Sequence, residues 1–256
     1  MSKVASKVVW IIGSSSGIGK ATAIQLQNDG YFVVLSSRDE KALTQAQSDL
    51  SNPKESMIST CDVTDLESLK AAKKKILDSK NTIDLVIFAA GVYDPMPLDS
   101  YDHDQSLLTL NVNLIGAFNV FELMKQEALD DKTPLHLAWI ASVAGFRGLP
   151  RSAAYGATKA ALINFAEIQR VELRDKKTNV QVINPGFVKT RLTDKNSFEM
   201  PMRITSKEAA KAIVSGLKSS KFEIIFPTAF GIIMKSLRMM PNWMYLKLAS
   251  KIDEKE

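Results

Sequence analysis

The chain has 256 residues, 45% of them apolar and 24% charged, with 33 basic against 28 acidic side chains. That balance excludes collagen-like, disordered and disulfide-scaffold classes, and a net charge of +5 argues for solubility rather than nucleic-acid binding. The single cysteine, Cys61, excludes an intrachain disulfide and a cysteine-built metal site, while His103 and His136 stand apart without ligand spacing and read as a loop and a strand residue.

Residues 1–10 carry Lys3 and Lys7 but only a short apolar stretch that runs into a glycine-rich turn, which suits neither a signal nor a transit peptide; a cytoplasmic location is expected. Strand-length runs rich in Val, Ile, Leu and Phe then recur at 8–12, 31–35, 57–60, 85–89, 135–141, 180–183 and 222–226. Helical period and cap signals, such as Gly30 after the first helix, fill 17–29, 39–50, 64–79, 104–130, 152–175 and 206–217. The longest charge-free run, 105–121, is 17 residues long and holds three Asn, so no transmembrane helix is expected. Strands apolar at nearly every position are buried on both faces. Alternating with helices at this spacing, they predict an α/β, doubly wound Rossmann-type parallel sheet of about seven strands with right-handed crossovers. One domain over 1–228 with a helical extension over 229–256 follows.

In such a sheet ligands bind beyond the carboxyl ends of the strands, so the loops there carry the chemistry. After the first strand comes Gly13-Ser14-Ser15-Ser16-Gly17-Ile18-Gly19, opening a helix. Glycines let the backbone turn tightly against a pyrophosphate, whose charge the helix N-terminal amides stabilise. A P-loop is excluded, because Ser14 and Ala21 stand where its first glycine and its hydroxyl are required. The second strand ends in Ser37-Arg38, with a cation rather than an acid placed to meet the adenosine ribose; this favours NADP(H), with NAD(H) still possible. Tyr155 and Lys159 share one helical face, and Ser142 stands just past the fifth strand, so all three are placed to converge on one reactive carbonyl.

With these motifs in order, the sequence resembles the short-chain dehydrogenase/reductase family in its compact form, over residues 7–226. The resemblance is carried by Gly13-x3-Gly17-x-Gly19, Asp62-Val63, Ala90-Gly91, Asn113 to Gly116, Ser142, Tyr155-x3-Lys159, and Asn184-Pro185-Gly186 with Thr190. It implies a catalytic set of Asn113, Ser142, Tyr155 and Lys159, with Ser142 and Tyr155 also touching substrate. It further implies a cofactor site including Ser15, Ser16, Ile18, Asp62, Val63, Ala90, Gly91, Pro185, Gly186, Val188 and Thr190, which Tyr155 and Lys159 also touch, Lys159 at the nicotinamide ribose. Asn113 would position a water linking Lys159 to solvent, and the helices at 104–130 and 152–175 would pair subunits in a homodimer or homotetramer. Ile12 and Phe88-Ala89 depart from the family pattern, and apolar packing is expected where polar ties between strands are lost.

The chemistry expected is hydride transfer between NADP(H) and a ketone, aldehyde or secondary alcohol. Tyr155 is the general acid/base, with Lys159 drawing its phenol down from a pKa of ~10. Leu192, Phe198, Met200 and Met202 punctuate 190–206 and suggest an apolar lid over a lipophilic substrate. Trp139, Phe118 and Phe121 read as core or subunit-contact residues. Between Lys221 and Lys251 lie five basic residues and one acid, and four of the ten Met fall within 234–244, with Pro241 dividing two basic, apolar helices. This segment suits a helical cap, a subunit contact or a membrane-surface anchor. Two rival functions stand beside the enzyme: a catalytically silent NADP(H)-sensing protein, and a membrane-surface interaction protein.

Overall fold

A computed structural model describes residues 6–195 and 200–253. In chain order the main sheet is built from β1 (Val8–Ile12), β2 (Phe32–Ser36), β3 (Ser56–Ile58), β4 (Leu85–Phe88), β5 (Leu135–Ile140), β6 (Thr178–Pro185) and, after two short strands, β9 (Glu223–Phe226). All pairs are parallel, in the order β3-β2-β1-β4-β5-β6-β9. The order reverses between β1 and β4, which opens the crevice typical of doubly wound sheets there. The expected seven-stranded α/β architecture is therefore found. The short strands β7 (Val188–Lys189) and β8 (Ile204–Thr205), too brief to read in sequence, pair separately.

Period-two alternation within each strand divides the core into two layers. Val8, Trp10, Ile12, Val34, Phe88 and Trp139 face one side and Val9, Ile11, Val33, Leu35, Ile87 and Ile140 the other, each set in its own buried cluster. The first layer is covered by α3 (Leu66–Lys80), α5 (Gly116–Leu129) and α6 (Ala153–Glu172), with α4 (His103–Leu110) packed against α6. The second is covered by α1 (Gly17–Asn28), α2 (Glu40–Ser48) and α7 (Ser206–Leu217). Where the sequence departs from the family pattern, Ile12 and Phe88 are fully buried and Phe88 packs on Trp139 with ring centroids 5.9 Å apart, the apolar packing expected. Polar ties between strands lie elsewhere: Trp10 Nε1 donates to Ser36 Oγ (2.7 Å), and Ser36 N donates to Ser14 Oγ (2.9 Å).

Differences from the predicted elements have local causes. The second strand starts at Phe32 because Tyr31 N and Gly30 N close α1 with bonds to Leu26 O (3.1 Å) and Gln27 O (2.9 Å), the Schellman pattern. His103 opens α4 rather than lying in a loop, because the Asp102 side chain caps the helix by accepting from Gln105 N. Between α4 and α5 the helix widens into one π-turn, Asn111–Ile115, without breaking. The resulting helix, His103–Leu129, is long and apolar enough to cross a membrane, contrary to expectation; yet Val112, Ala117, Val120, Met124 and Ala128 pack it into the core. Past β9 the chain forms α8 (Thr228–Met239) and α9 (Asn242–Asp253), broken at Pro241 as expected.

Candidate active site

The glycine loop leaves β1 against the start of the loop after β4. A Cβ on Gly13 would lie 2.4 Å from Ala90 N, and φ there is +96°; a Cβ on Gly19 would lie 2.2 Å from Gly13 O. Only glycine permits that close backbone approach. Gly17 opens α1 with no carboxylate in the first turn, so the helix N-terminus meets a bare, positively polarised loop. A cleft of about 820 Å³ runs from this loop across the carboxyl ends of the strands. The end at the glycine loop gathers Ser15, Ser16, Ile18, Ser37, Arg38, Asp62, Val63, Ala90 and Gly91 with the three loop glycines, and Pro185, Gly186, Val188 and Thr190 lie further along. Arg38 stands exposed at the rim, 3.9 Å from Asp62. A cradle whose glycines would be filled by any Cβ, with donors at a helix start and a cation at the rim, fits an anionic dinucleotide.

At the other end Ser142, Tyr155 and Lys159 line the same cleft. Ser142 caps a one-turn 3-10 helix, Val143–Gly145, by accepting from Ala144 N (3.1 Å). Gly145 lets that turn press on α6, where a Cβ would sit 2.7 Å from the backbone of Lys159 and Ala160. This contact brings Ser142 onto the helix that carries the other two. Burial pushes the Tyr155 phenol up, and a hydrogen bond from Ser142 partly draws it back. The Tyr93 ring meets Tyr155 edge-on at 4.8 Å between centroids. Lys159, only 4% exposed, is brought down to about 8 by desolvation; its Nζ donates to Ile140 O (2.9 Å) and lies 5.5 Å from the Tyr155 ring centre. The largest influence on the phenol is its own burial rather than Lys159. The ammonium is turned to a carbonyl, and burial dominates both groups.

Asn113 is placed differently. It is fully buried in the π-turn and, among the described residues, lies behind the cleft wall rather than on it. Its Oδ1 accepts from Val92 N (2.8 Å), and its Nδ2 donates to Val92 O (2.9 Å) and to Thr158 Oγ1 (3.3 Å). The amide thus fixes the segment after Gly91 against α6. His136 sits in β5 beside Asn179 and is held neutral, its pKa lowered to about 4 by burial. Cys61 touches the cleft, but burial raises its thiol to about 11, which keeps it inert.

The substrate end is largely apolar, with Tyr93, Leu149, Leu192, Phe230, Ile233, Met234 and Leu237 on its walls. Of the four predicted lid residues, Leu192 reaches the cleft and Met200 and Met202 are not among its walls, although Pro201 between them is. Phe198 lies outside the described residues. Sequence reasoning missed Tyr93, Phe230 and Ile233 as wall residues, and it missed Arg147. That side chain donates from Nε to Leu237 O (3.0 Å), from Nη1 to Asn242 Oδ1 (2.8 Å) and from Nη2 to Met240 O, and it stacks 4.7 Å from the Tyr245 ring centre. Tyr245 in turn donates to Gly148 O (2.6 Å). Of the readings offered for the C-terminal segment, α8 thus forms a wall of the cleft, pinned by a residue two positions beyond the Val143–Gly145 turn.

A family model described as short chain dehydrogenase matches residues 7–200. An uncharacterized oxidoreductase of Myxococcus xanthus is 29% identical over 259 residues, covering 98% of this chain and 100% of that protein. An uncharacterized oxidoreductase of Staphylococcus epidermidis is 31% identical over 217 residues, 85% of this chain and 93% of that protein. The fold is similar to that of a short chain dehydrogenase from Burkholderia cenocepacia in complex with NADP, with TM-score 0.81, 22% identity and coverage of 95% of this chain and 97% of the other. A short chain dehydrogenase/reductase from Burkholderia phymatum in complex with NAD has TM-score 0.81, 20% identity and coverage of 92% and 94%. A glycine cradle at one end of the cleft and Ser142, Tyr155 and Lys159 at the other agree with those matches: the chain belongs to the short-chain dehydrogenase family of oxidoreductases.

Proposed function

We propose that the protein is an NADP(H)-dependent carbonyl reductase or alcohol dehydrogenase acting on a lipophilic ketone, aldehyde or secondary alcohol. The convergence of Ser142, Tyr155 and Lys159 on one wall of a cleft that begins at the glycine cradle carries this reading. Gly13 to Gly19 hold the pyrophosphate, Asp62 and Val63 flank the adenine, and Pro185 to Thr190 hold the nicotinamide. Arg38 supplies the guanidinium that pairs with a 2′-phosphate, which is the basis for choosing NADP(H). The bound cofactor supplies or accepts the hydride.

The chain's own residues then handle one proton and one developing charge. Ser142 Oγ and the Tyr155 hydroxyl both donate to the substrate oxygen, where negative charge builds as the carbonyl is reduced. Tyr155 passes its proton to that oxygen. With its pKa raised by burial, the phenol is protonated at neutral pH and has that proton to give. The phenolate left behind is stabilised once the Lys159 ammonium turns from Ile140 O toward it. Asn113, locked to Val92, holds the backbone beside Lys159 in place, and a water carried there returns the proton from solvent. The apolar walls contributed by Leu149, Phe230, Ile233 and Met234 support a lipophilic substrate.

The test follows NADPH oxidation by purified protein across a panel of short-chain and lipophilic carbonyls, with Tyr155→Phe beside the wild type. Turnover that rises with substrate lipophilicity, and falls about a hundredfold or more in the variant with NADPH binding intact, is expected. NADPH binding without turnover on any panel member supports the sensor instead.

A further inference from the structure

We infer that the corner between α8 and α9 is a docking surface for an anionic lipid bilayer, with Met239 and Trp243 as the inserting side chains. Met239 is 87% and Trp243 71% exposed, on either side of the helix break at Pro241. Ile232 on α8 and Leu246 on α9, 62% and 63% exposed, extend the apolar surface along both helices. Single exposed apolar residues are ordinary, but four large ones within fifteen residues of chain mark an interaction surface.

The occupant is chosen by charge. From Ile224 through Ile252 the sequence contains no Asp or Glu, while Lys235, Arg238, Lys247 and Lys251 lie within it; the first acid after it is Asp253, the last residue of α9. Lys235 is committed to Glu223 and Arg238 lies over the Phe146 ring, so Lys247 and Lys251 on α9 are the cations placed to meet headgroups. A second copy of this chain placed face to face would set basic against basic, whereas phosphate headgroups complement the surface and acyl chains accept the tryptophan and methionine. The inner side of α8 has the opposite job: Phe230, Met234 and Leu237 line the cleft, and Met234 belongs to the main core. Arg147 and Tyr245 tie the corner rigidly to the loop beyond the catalytic turn. Docking through the outer side therefore sets the substrate end of the cleft beside the bilayer, where a lipophilic substrate is concentrated. That consequence rests on the proposed reductase reading; the docking itself does not.

The experiment is co-sedimentation of the full chain with phosphatidylcholine vesicles, with and without phosphatidylglycerol. Wild-type protein is expected to partition onto the anionic vesicles. Met239→Ser combined with Trp243→Ser lowers the partition coefficient about tenfold or more. Lys247→Glu combined with Lys251→Glu lowers it by about fivefold per cation on anionic vesicles only. All four sites are exposed, so melting temperature and NADPH-induced stabilisation should match wild type in every variant. Equal partitioning of wild type and the Met239/Trp243 variant, or no partitioning of wild type, overturns the proposal. A dimer seen in sedimentation that dissociates on the same substitutions, without vesicle binding, overturns it in favour of a second copy. Because the readout needs no turnover, failure here is separate from failure of the reductase reading.

Discussion

The two ends of the cleft are built on different principles. The glycine-loop end, the proposed cofactor end, is made of backbone: glycines that approach other main chain within van der Waals contact, a helix N-terminus, and strand ends fixed by ladder hydrogen bonds. The substrate end is made of side chains from elements distant in sequence, Tyr93 after β4, Leu192 after β7 and four residues of α8, joined by the Arg147 contacts. A backbone-built site tolerates almost no substitution and serves one class of ligand; a side-chain-built one varies while the fold persists. Perturbing each end in turn should show this asymmetry.

The largest effect belongs to the backbone end. Gly13→Val places a branched side chain at φ +96° with its Cβ 2.4 Å from the Ala90 backbone, which cannot move without parting β1 from β4. A loss of about 3 kcal/mol or more of stability is expected, together with loss of nucleotide-induced stabilisation, as read by thermal melting with and without NADPH. Wild-type binding in this variant would show that the loop is not the cradle.

Lys159 separates stability from function. Its folded pKa of about 8 lies below the ordinary value of 10.5 because burial penalises the ammonium. Between those values the unfolded chain binds more protons than the folded one, so stability rises with pH through that window, and below about pH 8 the full penalty applies. Lys159→Met should therefore remove activity yet stabilise the protein at pH 7. The gain is at most about 3 kcal/mol, less about 1 kcal/mol for the Ile140 carbonyl left unpaired. The gain should shrink to nothing as pH approaches 10.5 in denaturant titrations. A variant less stable than wild type at neutral pH would mean that the buried ammonium is compensated in solution.

Arg147 tests the side-chain end. Arg147→Ala removes three hydrogen bonds and a cation–π contact that hold α8 and α9. The KM for a lipophilic substrate should rise about tenfold while kcat changes little, since no reacting atom loses a partner. Arg147→Lys should not restore it, because a point charge cannot reach three separately placed acceptors. An equal fall in kcat and kcat/KM would place Arg147 in the chemistry instead.

The same asymmetry sets what the sequence discloses. Gly13, Gly17 and Gly19 are legible because close backbone approach demands one residue type at fixed spacing, and Tyr155 and Lys159 because one helical turn relates them. The five inner strands are legible because burial on both faces leaves near-continuous apolar runs, whereas the edge strands β3 and β9, only partly buried, are read from shorter apolar runs. The π-turn at Asn111–Ile115 leaves no such mark: it changes hydrogen-bond partners without changing the apolar period, and it turns Asn113 to Val92, behind the wall. Arg147 reads in sequence as an ordinary loop cation, since its acceptors, two backbone carbonyls and the Asn242 side chain, lie some ninety residues on. Nor does local pattern reveal that burial, rather than the neighbouring Lys159, sets the Tyr155 phenol, because desolvation is a property of the assembled cleft.

The smallest effect is expected at the rim, where backbone gives way to side chains within the cofactor end itself. Arg38 is 62% exposed and its distance to Asp62, 3.9 Å, is too long for a tight pair, so the guanidinium is held weakly and is available to an incoming phosphate. Solvent screens it, which limits the energy at stake to roughly a factor of ten in affinity. Arg38→Ala should weaken NADPH binding about tenfold and leave NADH binding unchanged, since NADH carries no 2′-phosphate for the guanidinium to meet. The NADPH preference of the wild type should also fall with added salt, whereas that of the variant should not. If NADPH and NADH weaken together, Arg38 acts on something the two nucleotides share, and the preference for NADP(H) must then be sought at Ser37 or the loop hydroxyls Ser15 and Ser16, which line the same end of the cleft.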